Sequence, residues 1–165
     1  MAKVVKLALA GLLLVFLLIQ LIPVDRSNPP ARGGILVPDE VRTILQTSCY
    51  DCHSNETRWP WYSRIAPFSW LLAEHVHDGR KHLNFSTWEQ YDLEEKIHKM
   101  EDLIDVLKEG EMPLASYLIM HSGARLTPEK TERLIQWAQQ LRQSLRTGTS
   151  SRKTQEEDAD FHQED

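Results

Sequence analysis

The stretch SCYDCHSNETRWPWYS, Ser48 to Ser63, holds both cysteines of a 165-residue chain and sets His53 directly after the second of them. Random placement of two cysteines and seven histidines gives such a cluster roughly once in 2,000 chains. The spacing therefore asks for a chemical reason. A zinc site needs four ligands, and no second Cys-x-x-Cys or His-x-x-x-His pair follows, His75 and His77 lacking that spacing. A thioredoxin-like dithiol expects strands alternating with helices. A structural disulfide has no use for the histidine.

Covalent haem attachment uses all three side chains. Two cysteines at a helix end add to the porphyrin's vinyl groups, and the adjoining imidazole takes the iron as proximal ligand. Cys49, Cys52 and His53 suit these roles, with one haem c and its iron as cofactor. Zinc and a redox or structural dithiol stand as the alternatives.

Upstream, PDEVRTILQTSCYDC carries Val41, Ile44, Leu45 and Ser48 at helical spacing behind Pro38, so a helix leads directly into the cysteines. Downstream, a short helix is expected over Ser69 to Gly79, with Gly79 as its stop. Ser86 and Glu89 have the spacing of a capping box for a longer helix whose stripe is Leu93, Ile97, Met100, Ile104 and Leu107, ended by Gly110. A last helix starts at Thr127 as N-cap, with Pro128 in its first position, and runs through Leu134, Ile135, Ala138, Leu141 and Leu145. Loops are expected over Asn55 to Pro67 and Glu111 to Leu126. No period-two strand pattern interrupts this all-α reading.

Both ends lie outside the expected haem domain, residues 38–147. Leu7 to Leu21 is apolar except for Gln20, and with Ile22 and Val24 it approaches the roughly 20 residues that cross a bilayer. Residues 1–24 read as one N-terminal transmembrane anchor behind Lys3 and Lys6, with a cleaved signal peptide as the alternative. Residues 25–37, rich in Pro and Gly, suit an extended spacer lifting the domain off the membrane. Residues 148–165, with His162, are polar and acidic and are expected to be a disordered tail. The anchor and the haem motif together imply a single-pass protein of the bacterial inner membrane with its domain on the periplasmic side, where c-type haem is attached. A net charge of -5 leaves no electrostatic footprint for nucleic acid.

The segment CYDCHSNETRWPWYSRIAPFSWLLAEHVHDGRKHLNFSTW, Cys49 to Trp88, with GEMPLASYLIMHSGARLTPEKTERLIQWA downstream, closely resembles the bacterial haem-binding domain family marked by CxxCHSNxTxWPWYSxIAP. The resemblance covers about Val37 to Arg142. It implies a cytochrome c-like helical domain around the haem and names no pathway.

For the other face of the iron the candidates are Met112, Met100, Met120, His75, His77, His82, His98 and His121. Met112 is favoured, because the preceding helix ends at Gly110 and Pro113 holds Met112 extended, like the loop that presents a sulfur to iron in cytochromes c. His75 is the main rival. Met100 belongs to the apolar stripe, and His82 and His98 fall among charged residues. Trp59, Trp61, Tyr62, Trp70, Trp88 and Tyr117 are candidate walls for a porphyrin. Arg64, ahead of Arg58 and Arg80, is a candidate partner for its propionates. With Met112 bound, the iron has no vacant position and the protein is a monohaem electron carrier between redox partner proteins; with an open sixth site it is a gas or redox sensor or a peroxidase-like enzyme. No catalytic acid–base set accompanies the haem motif, and the oligomeric state is open.

Overall fold

The computed structural model describes residues 1–161, and the side chains of residues 1–148. Seven α-helices and three 3₁₀ turns make up the fold, and no strand occurs among the described residues.

Helix α1, Ala2–Ile19, has no buried residue and a mean hydropathy of 2.4, long and apolar enough to cross a membrane as an anchor or to serve as a signal sequence. Helix α2, Asp39–Ser48, carries Asp39 and Glu40 in its first turn, where the helix dipole favours acidic groups. It buries Val41, Ile44, Leu45 and Ser48, the four positions that helical spacing picked out. The backbone bends at Cys49, and the single turn α3, Tyr50–His53, follows at once.

Helix α4, Phe68–His82, is longer than expected. Gly79 lies inside it and is no stop, because this is where α4 packs on α3. After a 3₁₀ segment over Phe85–Gln90, helix α5 spans Leu93–Glu109 and ends at Gly110 in the left-handed conformation (φ 71°) that glycine adopts at no steric cost. Its capping box is Asp92 with Glu95, not Ser86 with Glu89: the Glu95 amide donates to Asp92 (2.8 Å) and the Asp92 amide to Glu95 (3.1 Å). The Ser86 hydroxyl is taken by the Asn55 amide (2.9 Å), and the Asn84 side chain caps the 3₁₀ segment instead. Asp92→Ala is therefore expected to lower stability by about 1 kcal/mol in denaturant titration, with α5 fraying at its N-terminus.

The loop expected over 111–126 contains helix α6, Ala115–Met120, and a 3₁₀ turn, Ser122–Ala124; that over 55–67 contains the turn Trp61–Arg64. Helix α7 opens at Pro128, with the Lys130 amide donating to the Thr127 hydroxyl, and continues to Phe161 through much of the segment read as a tail. His162 lies outside the described residues.

The core forms where α5 lies along α7 and α2 packs on α7. Met100, Leu103, Ile104 and Leu107 meet Leu134, Trp137 and Ala138, with Leu45 and Tyr50 behind them. The stretch 25–37 is irregular, as its composition requires, but it is no free spacer. Ile35 and Val37 are buried in the core, the Arg32 and Ile35 amides donate to the Ser86 and Phe85 carbonyls, and the Arg80 guanidinium reaches Ser27 and Asn28. Two apolar side chains and a chain of backbone bonds hold it against the domain.

Candidate functional site

A bend at Cys49 and one helical turn set the three motif residues side by side. The Cys52 and His53 amides both donate to the Cys49 carbonyl (3.1 and 2.9 Å), so the backbone between the thiols and the imidazole has little freedom. All three side chains open into one cavity of about 520 Å³, inside the range that ligand pockets take. One wall is α3 with the face of α4 that carries His75, Gly79 and His82. The other is α5 with the turn into α6: Leu103, Val106, Leu107, Met112, Leu114 and Tyr117. Phe85 and Leu126 add apolar surface.

The His53 ring is oriented by its Nδ1, which lies 3.0 Å from the Leu83 carbonyl. Nδ1–H donates there, leaving the Nε2 lone pair free, the arrangement that metal-bound imidazoles use. Burial pushes the His53 pKa down, against the pull of the Leu83 and Gly79 carbonyls, and favours the neutral ligand form. Burial also raises Cys49 to about 12 and Cys52 to about 11, so both are protonated thiols at neutral pH, and neither is in a disulfide.

Gly79 makes this geometry possible. A Cβ there would stand 2.6 Å from the Cys52 carbonyl oxygen and 3.0 Å from the Cys52 Cβ. Opposite, Asp51 ties the walls together by accepting the Tyr117 hydroxyl (2.7 Å) and the Arg58 amide (3.1 Å). Burial, then this carboxylate, drive the Tyr117 pKa far up, and the phenol stays protonated. Tyr117 in turn stacks on His121, ring centroids 4.1 Å apart.

Of the residues singled out in the sequence, the cavity gathers Cys49, Cys52, His53, His75, His82, Met112 and Tyr117. It does not gather Trp59, Trp61, Tyr62, Trp70 or Arg64. Trp88 is in the core, and Trp61 and Arg64 are exposed. Trp59 and Trp70 keep buried indole N–H groups without a protein acceptor. Arg58 pairs with Asp51, while Arg80 grips the Ser54 carbonyl and the Thr57 hydroxyl, bracing the end of the motif against the 25–37 stretch. Among the candidate sixth ligands, Met112, His75 and His82 line the cavity; Met100 is core, and Met120, His77, His98 and His121 lie elsewhere. Sequence reasoning missed Leu83, which acts through its carbonyl, and read Gly79 only as a helix stop, whereas its contribution is the lack of a side chain. Asp51 was inside the quoted motif but carried no signal of its own.

Among the described residues no group of three or more His, Cys, Asp or Glu side chains gathers as a metal cage requires, so the zinc alternative finds no ligand set. The donor set fits a haem instead: an oriented imidazole and two thiols in one cavity whose lining is mainly apolar, with Asp51, Asp78, Lys99, Asp102, Asp105 and Glu111 adding charged groups. No curated protein and no solved structure matches the chain. A family model described as a haem-binding domain matches residues 14–140. With that match over most of its length, and with the cavity's donor set in agreement, the chain belongs to the haem-binding domain family.

Proposed function

We propose that this haem-binding protein is a membrane-tethered, periplasmic c-type cytochrome that carries single electrons, with His53 and Met112 as its axial ligands. The observation that carries the reading is the sharing of one cavity by His53, its Nδ1 engaged and Nε2 free, by both thiols, and by the Met112 thioether. Cys49 and Cys52 would hold the haem through thioethers, each S–H adding across one vinyl C=C with no net oxidation. When bound, the haem supplies a one-electron couple. The chain's own residues do the rest: Leu83 fixes the imidazole, Asp51 and Tyr117 hold the walls at their distance, and the leucines of α5 exclude water.

Met112 is favoured over His75 and His82 by its wall. The two histidines stand with Gly79 on the α4 face packed against Cys52, on the same side as His53, whereas Met112 enters from the α5–α6 side. Thioether ligation favours a relatively high potential and leaves the iron no open position.

The test is Met112→Ala in the full chain, matured with its haem. The parent is expected to show the weak far-red band of methionine-bound ferric haem and no reaction with carbon monoxide. The variant is expected to lose that band and to bind carbon monoxide when reduced. A parent that already binds carbon monoxide would move the reading to the open-site sensor or peroxidase, and a band that survives Met112→Ala would remove Met112 from the iron.

A further inference from the structure

Trp61, Phe68 and Leu71 are 71%, 55% and 45% exposed, three large apolar side chains around the start of α4. Nothing in the cavity uses them. Directly beside them the chain leaving α1 is fastened to the domain. The Ala66 amide donates to the Gln20 side-chain oxygen (2.9 Å), the Gln20 side-chain nitrogen donates back to the Ala66 carbonyl (3.3 Å), and Arg26 donates to the Ser63 carbonyl (3.1 Å).

From these contacts we infer that the Trp61–Phe68–Leu71 face lies in the headgroup zone of the bilayer that α1 crosses, so that the domain rests on the membrane and does not hang from a spacer. The inference rests on the tether proposed above. Eighteen residues at 1.5 Å each give α1 a length of about 27 Å, nearly the hydrocarbon thickness, so Gln20 emerges at the boundary. A residue hydrogen-bonded to Gln20 cannot stand far from that boundary, and Ala66 sits between Trp61 and Phe68. Tryptophan is enriched at this depth because its ring is amphipathic, and Phe68 and Leu71 gain from leaving water. The exposed Arg64 carries the charge that phosphate oxygens of the headgroups would take. The docking of residues 25–37 removes the slack that would let the domain lift away.

The test uses the full, haem-loaded chain in vesicles of phosphatidylethanolamine and phosphatidylglycerol. A photo-crosslinking p-benzoylphenylalanine replaces Trp61 or Phe68, or, as a control, Glu132, an exposed position of α7. Alkaline carbonate extraction reports the tether, and mass spectrometry after irradiation reports the face. The expected result is carbonate-resistant protein with phospholipid adducts at 61 and 68, several-fold above the control at 132. Resistant protein with no excess over the control, or with adducts to protein in place of lipid, overturns the face and leaves the tether standing. Release by carbonate overturns the tether and the face with it.

Discussion

Cys49→Ala combined with Cys52→Ala is expected to abolish haem staining on a denaturing gel, whereas His53→Ala keeps the stain and alters the spectrum. The two thiols share a cavity edge, and the turn that carries them is closed by two amides on the Cys49 carbonyl. Either sulfur alone holds the porphyrin through boiling, so each single variant should retain stain and only the pair should fall to background. His53 has the other task. Its Nδ1 donates to the Leu83 carbonyl, which would leave Nε2 to take the iron and adds nothing to the covalent bonds. Removing the ring therefore leaves a covalently held haem without its proximal ligand, visible as a high-spin spectrum. Stain that survives loss of both thiols would mean that the cavity holds its haem by other contacts, and the c-type reading would fail.

The contrast between those side chains and their surroundings follows what a sequence can carry. Cys-x-x-Cys-His states its chemistry in residue types, and the apolar spacing of α2 and α5 states which faces are buried; both were readable because side-chain identity does the physical work. The Leu83 carbonyl was not, since any residue has one, and only the fold brings this one to Nδ1. The capping box shifted because Ser86 and Asp92 are both competent caps, and a long-range bond from Asn55 engages the first. The Trp-Pro-Trp-Tyr stretch looked like a haem wall by composition, but composition does not say which side of a turn a ring occupies. Trp61 is exposed and lines no part of the cavity, and the hydrogen bonds between Gln20 and Ala66 give its exposure a different meaning. Residues 25–37 looked like a spacer because Pro and Gly forbid regular structure; they do not forbid docking, and Ile35 with Val37 supply two buried anchors.

Gly79→Ala is expected to destabilise the domain and to lower the fraction of chains that acquire haem. Two effects of opposite sign meet at this position. In a helix interior alanine is favoured over glycine by about 1 kcal/mol, because glycine loses more backbone freedom on folding. Against this, the new methyl would lie 2.6 Å from the Cys52 carbonyl oxygen, and its nearest obstacle is backbone that cannot swing aside. Forcing extra volume into a close contact with backbone costs about 1–3 kcal/mol, so the steric term outweighs the propensity gain. The relief available is for α4 to draw away from α3. That movement carries the Leu83 carbonyl off His53 Nδ1 and turns Cys52 within the cavity, so the loss reaches the site as well as the stability. Gly123→Ala is the control, since a Cβ there meets nothing within 4 Å. Denaturant midpoints and haem-to-protein ratios on both variants should separate them, Gly123→Ala matching the parent and Gly79→Ala falling below it on both measures. Parental stability and haem content in Gly79→Ala would show that α3 and α4 lie farther apart than this contact requires, and the oriented imidazole would then need another explanation.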